Sequence, residues 1–145
     1  SERFSQKDTK QSMQTMVFAI KANALVVMPF VLIASTISPY IMSLYGTDFR
    51  DGWPTLILVL LTAGLLAVQT PVGQIIAASG KMWIGFVMNL GWALTFIVGT
   101  LLLIEKGSLG LATARACGYV IHAIWTFGFA IWVIRKGASN CSATI

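Results

Sequence analysis

Between Thr55 and Glu105 the chain carries a single charge, Lys81. The stretch LILVLLTAGLLAVQTPVGQIIAASGKMWIGFVMNLGWALTFIVGTLLL, residues 56–103, is otherwise apolar or neutral. Lys81 sits in a short turn, Ala78-Ser79-Gly80-Lys81, with an apolar run on either side. About 20 apolar residues of helix cross a bilayer core, and each run is at least that long. The stretch therefore reads as a helical hairpin that crosses a membrane and returns.

Composition extends this to the whole chain. Of its 145 residues, 57% are hydrophobic and 10% charged, and the mean hydropathy is +0.80. A water-soluble domain carries roughly 25% charged residues, so this chain has too few to coat a water-facing surface. The net charge of +5 would suggest nucleic acid in a soluble protein. Here eight of the ten cations sit at span ends or in loops, and no nucleic-acid partner is expected. Arg3, Lys7, Lys10, Lys81, Arg135 and Lys136 fall on one side of the expected spans, while Arg50 and Lys106 fall on the other. Six against two places both termini in the cytoplasm by the positive-inside rule.

The expected fold is an all-α membrane protein of four spans with antiparallel neighbours. Residues 1–12 form a polar cytoplasmic approach. The four-helix region, 13–136, divides into spans at about 13–44, 54–78, 82–104 and 109–134, and residues 137–145 form a polar, unstructured cytoplasmic tail. Pro29 and Pro39 interrupt the first span and Pro71 the second. Each removes a backbone hydrogen bond, and in a membrane the freed carbonyl must find another donor. Ser35, Thr36 and Ser38 are candidates near Pro39. The first apolar run, from Val17, is too long for a signal-peptide core, so no leader is expected. Cys117 and Cys141 form no CxxC or Cys/His cluster, so neither a metal site nor a disulfide is expected.

Few polar residues lie inside the spans. Lys21 enters the first, where it can snorkel to headgroups or meet a substrate. On the second, Thr55, Thr62 and Gln69 recur at sevens and share a face. An amide there bonds to another helix or lines a wet cavity, and the same pair of roles is open to Asn89 on the third. On the fourth, Ser108, Arg115, Tyr119, His122 and Thr126 make one helical stripe. A cation or imidazole costs a few kcal/mol facing lipid, so this stripe should face protein or water. Arg115 can bind an anion or reach the outer headgroups. His122 can titrate near its ordinary value of about 6.5 or serve as a neutral packing residue. No span holds Asp or Glu, which argues against a carboxylate proton relay. No catalytic constellation, phosphate-binding glycine loop or cofactor motif is present, so no enzyme and no cofactor is expected.

The Leu44-Tyr45-Gly46 exit from one helix, the 78–81 Ala-Ser-Gly-Lys turn, and the entry to the last helix at Gly107, Gly110, Ala112 and Ala114 form a pattern over about residues 8–136. It resembles the polysaccharide-transport flippases, the O-antigen and lipid-linked oligosaccharide flippases of the multidrug/oligosaccharidyl-lipid/polysaccharide exporter superfamily. The resemblance implies a bacterial inner-membrane transporter of twelve or more spans in two bundles around a cavity. The four spans here would be the last four of the C-terminal bundle, and the chain would be a fragment, or a subunit that associates with itself or with the rest of a larger transporter. It also implies membrane lipid and an undecaprenyl pyrophosphate-linked oligosaccharide as partners. Arg115, His122 and Lys21 are candidates for the anionic head by their chemistry, not by a family motif. Tyr119, Gln69 and Asn89 are candidates for sugar contacts.

Two rival readings follow. A drug exporter of the same superfamily would need acidic residues or aromatic cages for cationic drugs, and this chain has only the aromatics. A small four-helix membrane subunit that transports nothing would need only partners to pack against.

Overall fold

The computed structural model describes residues 2–78 and 82–142, and side chains chiefly within 11–77 and 82–132. The turn at 79–81 and the cationic side chains of Arg3, Lys7, Lys10, Lys81, Arg135 and Lys136 lie outside the described residues. The fold is all-α: α1 (Glu2–Thr36), α2 (Ser38–Leu44), α3 (Trp53–Ala78), α4 (Met82–Leu103) and α5 (Gly107–Ser142), with 3-10 turns at Thr47–Gly52 and Ile104–Lys106. Among the described residues there is no strand. Among them, three stretches are long and apolar enough to cross a membrane: Met13–Thr36, Thr47–Gln74 and Met82–Trp132, with mean hydropathies of 2.2, 2.0 and 2.0. The third runs through α4 and the second 3-10 turn into α5 as far as Trp132. Gly107 opens α5 at φ +57° and Gly46 precedes the first 3-10 turn at φ +119°, conformations that an L side chain rarely adopts.

Helix α5 is central, touching α1, α3 and α4. On α1 and α3 the contacts run in opposite senses: Met16 clusters with Val72, Asn23 faces Ala67, and Met28 and Val31 close over Gly64. Helices α3 and α5 run the same way. Thr55 meets Ser108 near the start of both, and Gln69 meets His122 further along, each pair 53 residues apart. Helix α4 lies against α5 in the opposite sense, with Gly99 on Ala114, Trp92 on Gly118 and Gly91 on Trp125.

The hairpin expected of residues 56–103 is thus corrected in its packing. Helices α3 and α4 follow one another in the chain, but α4 packs chiefly on α5 and touches α3 only slightly. The reason is steric. A methyl on Gly99 would stand 3.2 Å from the Ala114 Cβ, and one on Gly91 would stand 2.7 Å from the Trp125 ring. Small residues bring the α4 and α5 backbones together, the ordinary device for joining helices that lack a hydrophobic drive. Large apolar side chains such as Leu25, Phe30, Phe86, Leu101 and Leu102 point outward, while Ala112, Ala114, Ala123 and Ala130 are buried.

Three further boundaries differ from expectation. The first span divides at Ile37 into α1 and α2, because Pro39 cannot donate to the Ser35 carbonyl; Ser38 Oγ donates to it instead, at 2.8 Å. Helix α1 also extends through the expected polar approach to Glu2, ahead of the apolar stretch from Met13, since no proline or glycine interrupts residues 2–28. Helix α5 continues at the other end of the chain through Ser142, so residues 137–142 of the expected tail are helical.

Candidate functional site

Two polar groups lie along α5. The first centres on Gln69, which is 4% exposed on the face of α3 that the sevenfold spacing marks out. Its Nε2 donates to the Tyr119 carbonyl at 3.1 Å, and its Oε1 lies 3.2 Å from His122 Nδ1. Thr126 Oγ1, one turn on, stands 3.5 Å from the same ring nitrogen and 4.0 Å from Met88 Sδ on α4. A buried amide must have its bonds satisfied, and Gln69 reaches two groups of α5 to do so. Trp125 meets the His122 ring edge-on, with centroids 6.0 Å apart.

The second group is cationic and aromatic. Arg115 is exposed, with its guanidinium carbon 5.8 Å from the centre of the Tyr119 ring, within cation–π range. Tyr119 in turn lies 5.0 Å from Trp92, which stacks on Phe96 at an interplanar angle of 8°. Among the described residues, the buried Nε1 atoms of Trp92 and Trp125 have no hydrogen-bond partner. Seven residues separate Arg115 from His122, about 10 Å along the helix.

Because α4 leans on α5, it stands away from α3 and leaves a cleft of about 360 Å³ toward the 78–82 end of the bundle. Gly73 and Ala77 of α3, Gly85 and Asn89 of α4, and His122 and Thr126 of α5 line it. Asn89 is exposed there, and among the described residues it makes no hydrogen bond between helices.

The sequence candidates therefore separate. Gln69 meets His122 and the Tyr119 carbonyl, Arg115 approaches the Tyr119 ring instead, and Asn89 shares the cleft with His122. Lys21 is exposed on α1 and belongs to neither group. Ser108, the start of the expected stripe, bonds to Thr55 at 3.3 Å, and Cys117 is a free thiol on the exposed face of α5. Among the described residues no three metal-ligating side chains converge.

One residue was missed. Asn23 Nδ2 donates to the Ala67 carbonyl at 3.0 Å, and Ala67 is the residue whose helical bond Pro71 removes. The signal was present: Pro71 announces an orphan carbonyl four residues back, and Asn23 is an amide in the preceding span.

Comparison with known proteins gives no match to a family model, to a curated protein or to a solved structure.

Proposed function

We propose that the chain is part of a multi-pass transporter that carries lipid-linked oligosaccharide, such as O-antigen repeat units, across the bacterial inner membrane. Four spans, α1 with α2, α3, α4 and α5, alternate in direction, and both termini lie in the cytoplasm. The larger cavity needs further helices, from the rest of the transporter or from a second copy. The outward-facing leucines and phenylalanines of α1 and α4 leave room for such neighbours as well as for lipid.

The observation that supports this reading is the Arg115–Tyr119 pair at 5.8 Å beside the Trp92–Phe96 stack. A guanidinium pairs with phosphate oxygens in bidentate fashion, and aromatic faces offer apolar ring surface with a polar rim. Together they suit a pyrophosphate joined to a sugar. Arg115 lies eight residues into α5, about 12 Å from its start, and so in the outer half of a core about 30 Å thick. Transport proceeds by alternating access of the bundles around the bound head, with no covalent step.

The test is replacement of Arg115 in the intact transporter at matched expression. Arg115→Gln should lower surface polysaccharide about tenfold, as loss of one charge-assisted contact predicts, and Arg115→Lys should retain part of it. Unchanged polysaccharide with Arg115→Gln would rule the reading out.

A further inference from the structure

The orientation of the Gln69 amide is fixed by its own bond. Nε2 donates to the Tyr119 carbonyl; the flipped amide would set two oxygens against each other. Oε1 therefore faces His122 Nδ1. An amide oxygen only accepts, so in the neutral ring Nδ1 carries the proton and Nε2 carries a lone pair. Asn89 and Thr126 share the cleft with that ring.

The walls of the cleft carry a second observation. Among the described helical glycines, a Cβ on Gly64, Gly91, Gly99, Gly110 or Gly118 would lie within 3.4 Å of a neighbour. On Gly73 and Gly85, which face the cleft from α3 and α4, it would meet nothing within 4 Å. Helix packing does not require these two glycines, and their absent side chains leave the space open. At about 360 Å³ the cleft is within the range of small-molecule sites, which are mostly apolar with a few placed polar groups. Its described lining contains no Asp, Glu, Lys or Arg.

From these observations we infer that the cleft is a binding site for an uncharged amphiphile bearing a hydroxyl group, whose O–H donates a hydrogen bond to His122 Nε2. A hydrocarbon gains nothing from a lone pair, and a carboxylate would be repelled by it. An alcohol donates to Nε2 and can share its oxygen with the Asn89 amide while its chain lies along the apolar wall. The inference does not rest on transport, because the occupant is read directly at the ring.

His122 is the single histidine of the chain, so its ¹⁵N-labelled imidazole gives one unambiguous pair of signals. In the full chain in lipid nanodiscs, those signals should show a protonated Nδ1 and an unprotonated Nε2. Adding 1-dodecanol should shift Nε2 saturably, while dodecane should need about fivefold more to produce any change, the factor expected for one hydrogen bond. Gly85→Leu, which fills the cleft from α4, and Gly73→Leu, which fills it from α3, should keep the tautomer and lose the response to dodecanol. A ring protonated at Nε2, an equal response to dodecane, or a full dodecanol response in both leucine variants would overturn the inference.

Discussion

Gln69 Oε1 lies 3.2 Å from His122 Nδ1 across the interface of α3 and α5. The pair has the same offset of 53 residues as Thr55 and Ser108, so one register governs about 21 Å of two helices running in the same direction. Polar pairs at both ends hold that register, and the buried Thr62 between them returns its hydroxyl to Leu58 of its own helix, at 2.6 Å. If the pair fixes the register, Gln69→Leu and His122→Phe should each destabilise the chain by about 1 kcal/mol, with a coupling of about 0.6 to 1.7 kcal/mol. A double-mutant cycle read by reversible unfolding in mixed micelles measures this. Strict additivity would mean that the contact contributes nothing.

Asn23 supplies the hydrogen bond that Pro71 withholds from Ala67. Asn23→Leu should therefore cost about 1 kcal/mol in the native chain. In a Pro71→Ala background residue 71 regains its N–H and can bond to Ala67 itself, so most of that cost should vanish. The same unfolding measurement in the four variants decides it; equal costs in both backgrounds would separate Asn23 from Pro71.

The glycines fall into two kinds with opposite expected effects. Gly91→Val sets a side chain against Trp125, where even a Cβ would stand at 2.7 Å, and should destabilise by about 1 to 3 kcal/mol. Gly85→Ala enters open space and should stabilise by up to about 1 kcal/mol through helix propensity. Thermal unfolding of the two variants in one detergent gives the comparison.

The proposed topology can be read with cysteines. In a chain whose Cys117 is replaced by serine, Thr47→Cys with Cys141→Ser should react with a membrane-impermeant maleimide on intact spheroplasts. Native Cys141 alone should react only after lysis. The reverse pattern would invert the orientation, and labelling of both positions from one side would exclude four spans.

The elements were legible where the sequence speaks one helix at a time. The apolar run of residues 56–103 announces helices of spanning length, and the spacing of Arg115, Tyr119, His122 and Thr126 announces one face of α5. Partner choice was less legible, because it depends on shape. Nothing local says that α4 leans on α5, since Gly91 and Gly99 acquire meaning only opposite Trp125 and Ala114. Nor could spacing alone join Gln69 to His122: alternating spans make α3 and α5 run the same way, but they do not say that the two pack together in a 53-residue register. Asn23 was hidden for a different reason: its role depends on a proline 48 positions away. Lys21 shows the limit of chemistry without position, being cationic but on the wrong helix face to join the Arg115–His122 stripe.

The central claim concerns Arg115 and a lipid-linked sugar, and reconstituted translocation tests it most directly. The intact transporter in proteoliposomes should move a fluorescent undecaprenyl pyrophosphate-linked sugar between leaflets, as read by protection from an external quencher. With Arg115→Gln at equal reconstitution the rate should fall about tenfold, one charge-assisted contact's worth. Translocation at the native rate in that variant would contradict the account.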